Sequence, residues 1–184
     1  MYINARITKE CWEPAYNEID TNFQNGKYAK MRGIPVYKVP GRYGDIYYVA
    51  GKPSGEDIEV YGWVNVRKKP HWQCWTVDQS FVFPQVRSEG WGKLLYDTLI
   101  TREKLILASG VEQSTTGRRM WKSMVKSDRY TIWAHDFTDP KNFGPVIYNE
   151  DEDILESQLK LYEKWSYTWG QPRKDIRLIA IKKA

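Results

Sequence analysis

The chain has 184 residues, with 28 Lys and Arg against 23 Asp and Glu, nine Trp, thirteen Tyr and a formal charge of +5. That length suits one domain with a real core, and the basic residues fall in short spots such as Arg67-Lys68-Lys69, Arg118-Arg119 and Lys182-Lys183 rather than in the long stripe of a nucleic-acid binder. Cys11 and Cys74 lack metal or redox spacing and read as reduced, packed thiols, and His71 and His135 have no carboxylate or thiol cluster in register, so neither a metal site nor a Ser/His triad is indicated. Met1 to Arg6 carries no apolar leader region and no apolar run approaches a membrane span, which leads us to expect a cytoplasmic protein.

The elements in chain order begin with a short strand from Ile3. A helix follows over Trp12 to Phe23, with Trp12, Tyr16, Ile19 and Phe23 at helical spacing. Ile34 to Val39, Ile46 to Ala50 and Ile58 to Val66 read as strands separated by the turn-rich Pro40 to Asp45 and Gly51 to Gly55. Trp72 to Phe83 is a long strand, and Trp91 to Arg102 a helix with Leu94, Leu95, Thr98 and Leu99 on one face. Lys104 to Ala108 reads as a short buried strand, and a helix restarts at Ser114 with Met120, Trp121, Met124 and Val125 as its inner stripe. Thr131 to Phe137 is read as a strand and Asp139 to Asn149 as loop. The tail is expected to hold an amphipathic helix over Asp151 to Trp165, with the acidic run Glu150 to Asp153 at its start, and a last strand over Ile176 to Ile181.

Between the long strand and its helix stands Arg87-Ser88-Glu89-Gly90-Trp91-Gly92, followed by Lys93. Two closely spaced glycines between a strand and a helix start let the main chain approach a ligand without a Cβ in the way, and the amides and dipole of the helix start favour negative charge. A pyrophosphate-bearing ligand is therefore expected. A Walker loop is excluded, because Arg87 stands where its first glycine belongs and Leu94 follows Lys93; a dinucleotide fingerprint is excluded because Leu95 occupies the third glycine position.

What remains resembles the acetyl-CoA loop of the GCN5-related N-acetyltransferases, whose pattern is Arg/Gln-x-x-Gly-x-Gly/Ala, often with a Pro three residues before the Arg and an apolar residue two before that Pro; Pro84 and Val82 occupy those places. The resemblance is strongest from about Trp72 to Val125. It implies a single mixed α/β domain over residues 1–184 with a central, mostly antiparallel sheet flanked by helices, an acetyl-CoA-binding core at about 72–126, an extra C-terminal helix at about 151–166 and a final strand at about 176–182. The implied activity is acetyl transfer from acetyl-CoA to an amine on a small molecule or protein, and a homodimer is compatible with it. By resemblance the backbone at Val82 and Phe83 would hold the pantetheine and thioester, and Arg87, Ser88, Glu89, Gly90, Trp91, Gly92 and Lys93 the pyrophosphate.

The chemistry also needs a proton acceptor and a proton donor. Asp78 is the first candidate base, since it stands in an apolar strand four residues before Val82 and by the period-two rule on the same face; Glu59 is the second, and the alternative for each is a solvent-facing acid at a strand edge or a partner for Arg67. In many family members a Tyr after the short buried strand protonates the departing thiolate. Trp121 stands in that register, and an indole N–H cannot act as a proton acid near neutral pH. A cofactor contact by Trp121, with Ser123, Tyr130 or solvent as substitute acid, is one reading; Trp121 as plain core is the other. The stretch Ser109 to Trp121 resembles bacteriophage-encoded acetyltransferase-like proteins, which leaves open a non-catalytic protein that binds acetyl-CoA or another protein on the same fold.

Overall fold

A computed structural model of the chain describes residues 9–54, 57–69, 73–110, 115–139, 141, 143–151, 154–159, 162–167 and 176–184. The strand expected from Ile3 and the thiol of Cys11 lie outside the described residues, whereas Cys74 is buried and forms no disulfide among the described residues. The chain is a mixed α/β protein whose described strand ladders are antiparallel and are flanked by helices. Its contacts fall into two compact units, Asn4–Leu99 and Ile100–Ala184.

In the first unit, α1 (Lys9–Gln24) precedes a sheet of five strands in sequence order: β1 (Ala29–Lys30), β2 (Val36–Pro40), β3 (Ile46–Ser54), β4 (Asp57–Lys68) and β5 (Trp75–Val82). The helical spacing of the α1 apolar residues is realised, because Ala15 and Ile19 are buried against Tyr37, Val39, Tyr47, Val49, Trp63 and Phe81. Trp12 stacks on Phe81 at a centroid distance of 5.8 Å and meets the edge of Phe83 at 5.2 Å, so part of the heavy aromatic load is core. Next come a short 3₁₀ turn over Pro84–Val86, the loop, α2 (Trp91–Asp97) and a π-helical turn over Thr98–Arg102. Leu95 and Tyr96 are buried where α2 packs on β3, β4 and β5, and the Tyr96 hydroxyl shares a hydrogen bond with Ser80.

Two bulges interrupt the period-two pattern. The β3–β4 register shifts between the pairs Ala50–Gly62 and Gly51–Val60, which makes Tyr61 an extra residue; the β4–β5 register shifts between Asn65–Gln79 and Val66–Val77, which makes Asp78 another. Asp78 therefore does not share the face of Val82 by simple counting. It is exposed, with a carboxylate oxygen 3.3 Å from Arg67 Nε, so it is the partner of Arg67 rather than an acid held in an apolar strand.

The same Arg67 grips the buried Asp45 through two nitrogens, at 2.5 and 2.8 Å. Its hydrogen bonds hold the Asp45 carboxyl below the ordinary value, against the opposing effect of burial. A carboxyl lowered in the folded state contributes stability that is present above its unfolded titration range and is lost as pH falls through the lowered folded value. Asp45→Asn is accordingly expected to lower the urea midpoint at neutral pH and to flatten its fall below about pH 4. An acid limb as steep as that of the wild type would show that Asp45 contributes nothing to it.

The second unit holds β6 (Leu107–Ala108), α3 (Thr115–Val125), β7 (Tyr130–Asp136), β8 (Phe143–Asn149), β9 (Ile154–Leu159), β10 (Tyr162–Tyr167) and β11 (Ile176–Lys182). The ladder runs β6-β11-β7-β8-β9-β10, antiparallel throughout. Alternate residues Ile132, Ala134, Leu178 and Ala180 are buried, and α3 packs on β7 and β8.

The strand expected over Lys104 to Ala108 shortens to Leu107–Ala108, because Lys104 adopts a left-handed backbone with φ of 55°. Residues 143–149, expected as loop, form β8. The helix expected over Asp151 to Trp165 is instead the pair β9 and β10, with Leu155 fully buried opposite Tyr148. Its apolar spacing fits a helix, but pairing with β8 satisfies the backbone of β9 and buries Leu155, so tertiary context overrides the helical pattern.

Candidate active site

The loop is set by β5 and α2. Phe83 N–H donates to the Tyr61 carbonyl at 2.9 Å, extending the β4–β5 ladder one residue beyond the Gly62–Val82 pair. Alternation in an antiparallel ladder then turns the N–H and C=O of Val82 toward the edge of β5 that faces away from β4. Arg87 folds back along that edge, donating from Nε to the Val82 carbonyl at 3.2 Å. Of the two amides expected to serve the thioester, Phe83 is already engaged, whereas Val82 points outward.

Residues 87–90 are exposed. Ser88 has φ of 70° and Gly90 φ of 89°, so two left-handed residues fold the chain back into α2. Gly90 occupies the N-cap position with no side-chain cap, and Leu94 N–H closes the first turn on the Gly90 carbonyl at 2.9 Å. The amides of a first helical turn have no intrahelical acceptor, and Gly90 at the N-cap offers no side chain to take them. A Cβ built on Gly90 meets nothing within 4 Å, so the space over the loop is open. Lys93 is exposed in the first turn.

An aromatic pair joins the loop to the sheet. The bulge at Tyr61 sets its ring against Trp91, with centroids 4.6 Å apart, and Tyr61 O–H donates to Glu59 Oε2 at 3.2 Å. Burial, and then the Glu59 charge, raises the Tyr61 phenol above its ordinary value, so it is a protonated donor at neutral pH. Trp91 Nε1–H donates to Glu89 Oε2 at 3.0 Å. The structure thus brings Glu59, Tyr61, Trp91 and Glu89 together around the start of α2, while Asp78 belongs to the Arg67 cluster. Sequence reasoning missed Tyr61; the signal available was Gly62 inside an otherwise regular strand, which marks bulges and close backbone approach.

Glu89 places a negative charge in a loop that otherwise suits an anion. Glu89→Gln retains an acceptor for the Trp91 indole and removes that charge, so CoA affinity measured calorimetrically is expected to rise by roughly threefold at low salt and less as salt screens the field. A weaker affinity would mean that the carboxylate itself shapes the loop.

Trp121 and Ser123 stand on α3 in the other unit. Trp121 is 1% exposed, a core residue there, and Ser123 is exposed. Tyr130, at the start of β7, is buried.

Among the described residues no helix is long and apolar enough to cross a membrane. No family model and no curated protein matches the sequence. Among solved structures, the chain is similar to a protein from Bacteroides thetaiotaomicron titled "Putative acetyltransferase from GNAT family", at 12% identity over 94% of this chain and 82% of that one, with a TM-score of 0.41.

Proposed function

We propose that the Arg87–Gly92 loop binds the pyrophosphate of acetyl-CoA and that the chain is an N-acetyltransferase acting on an amine, of a small molecule or of a protein. The observation that carries this reading is the open, uncapped start of α2 behind two left-handed residues, at the place where the sequence pattern Arg-x-x-Gly-x-Gly falls. Arg87 and Lys93 supply positive charge, and the amides from Ser88 to Lys93 supply hydrogen-bond donors. Val82 offers its outward amide to the pantetheine or thioester oxygen, next to the apolar wall of Phe83.

The proton acceptor is assigned to Glu59 ahead of Asp78, because Glu59 is joined through Tyr61 and Trp91 to the loop whereas Asp78 is committed to Arg67. The amine attacks the thioester carbonyl, its proton passes to the carboxylate directly or through water, and the C–S bond breaks to release CoA thiolate. With Trp121 unable to act as an acid, the thiolate takes its proton from solvent. Thiol release should therefore be slow but measurable when acetyl-CoA is mixed with the protein and a panel of amines.

Glu59→Gln is expected to lower kcat/KM by at least tenfold with CoA affinity unchanged, and Asp78→Asn to have a smaller effect. The reverse order would move the base to Asp78. Binding of acetyl-CoA with no thiol release from any amine would instead favour a binding protein without turnover.

A further inference from the structure

Between α1 and the Pro40–Arg42 turn lies a cleft of about 810 Å³. It is distinct from the loop. Pro40 pairs with Ile46 at one end of the β2–β3 ladder, whereas Val36 pairs with Ala50 at the other, from which Gly62 and then Val82 lead across the sheet to the loop.

The lining of the cleft carries both signs of charge, Glu18 against Arg42 and Lys27, together with the side-chain amides of Asn17, Asn22 and Gln79. Glu18 is held in place from two directions: Tyr47 O–H donates to Oε2 at 3.0 Å, and the Arg42 backbone N–H donates to Oε1 at 2.7 Å. Burial, and then the hydrogen bond with Glu18, pushes the Tyr47 phenol up to about 12, so it stays a donor throughout the neutral range. A carboxylate has about four acceptor sites, and these two bonds leave Glu18 with capacity for a further donor.

The Arg42 side chain is 79% exposed, with Nε 3.7 Å from Glu18, so most of its donors are open to a ligand. The turn that presents it is strained: Tyr43 adopts φ of 56° and ψ of 26° while 91% exposed, so no burial of its ring repays that conformation.

We propose that this cleft binds a small amino-carboxylate, a zwitterion whose ammonium group is received by Glu18 and whose carboxylate meets Arg42 and Lys27. A simple cation would leave the two basic side chains opposed by like charge, and a simple anion would confront Glu18. The proposal does not rest on acetyl-CoA binding at the loop.

Isotope-labelled protein is titrated with γ-aminobutyrate, butylammonium and butyrate, read by NMR on the Asn17, Asn22 and Gln79 side-chain amides. Saturable shifts at millimolar concentration are expected, with the zwitterion at least several-fold tighter than either singly charged analogue. Losing one charge-assisted contact weakens binding by roughly tenfold or more, so Glu18→Gln and Arg42→Ala should each do so. Arg42→Ala changes an exposed side chain and serves as the second variant, since Glu18→Gln also trims bonds within the turn; a dispersed spectrum verifies each fold. Equal affinity for a singly charged analogue, no effect of either variant, or no saturable shift with any probe would overturn the proposal.

Discussion

Gly90→Val should abolish CoA binding while leaving a folded protein. The φ of 89° at Gly90 is disfavoured for a β-branched residue, which costs about 1–3 kcal/mol of stability. No neighbour lies within 4 Å of the added Cβ, so the side chain clashes with nothing in the protein and projects into the open space over the loop. A phosphate sitting there would collide with it. Gly90→Asn separates the two effects, because Asn tolerates the left-handed region far better than Val yet still fills phosphate space. Both variants are expected to lose at least about a hundredfold in CoA affinity, equivalent to roughly 2.7 kcal/mol. Near-normal binding by the Asn variant would reduce the loop to an ordinary turn.

Gly62→Ala is expected to give the largest loss of stability from a single methyl group. Gly62 faces Val82 across the β4–β5 ladder, and an added Cβ would stand 2.4 Å from the Phe81 carbonyl oxygen and 3.0 Å from Val82 Cα. Both atoms are backbone in the strand that leads to the loop, so relief requires the ladder itself to open. Overpacking of this kind costs about 3 kcal/mol, which for a chain of this length lowers the thermal midpoint by roughly 6–12 °C. Displacement of β5 should also weaken CoA binding, since Val82 and Arg87 are positioned by that ladder. A midpoint unchanged within a degree would mean that β4 and β5 accommodate a methyl group at Gly62 without opening the ladder.

The parts of the fold that were legible in the sequence are those where pattern and tertiary context agree. The four longer strands of the first unit alternate or run apolar between glycine- and proline-rich turns, and the glycine pair at 90 and 92 marks the passage from β5 into α2. In the tail the strands at 131–137 and 176–181 were legible, but the stretch between them was not. Ile154, Leu155, Gln158, Leu159, Tyr162 and Trp165 satisfy a helical period, yet Tyr162, Trp165, Ser166 and Tyr167 form a strand antiparallel to β9. The aromatic content of that run was the local signal for a strand.

The site was half legible for a related reason. Counting by twos placed Asp78 beside Val82, but one inserted residue in each of two ladders moves Asp78 to Arg67 and turns Tyr61 toward Trp91. A bulge changes the face of every residue beyond it. The Glu18 cleft depends on contacts 24 and 29 residues apart in sequence, which no local pattern encodes.

The central claim, that the loop holds the pyrophosphate of CoA, is tested most directly by the thermal midpoint of the wild-type protein with and without CoA. Ligand at about a hundred times its dissociation constant adds roughly 2.7 kcal/mol of stability, a rise of roughly 5–10 °C for a chain of this length. Pantetheine, which lacks the pyrophosphate, should give much less. A rise with CoA far above that with pantetheine is the result the account predicts; no rise at millimolar CoA, or equal rises with both, would contradict it.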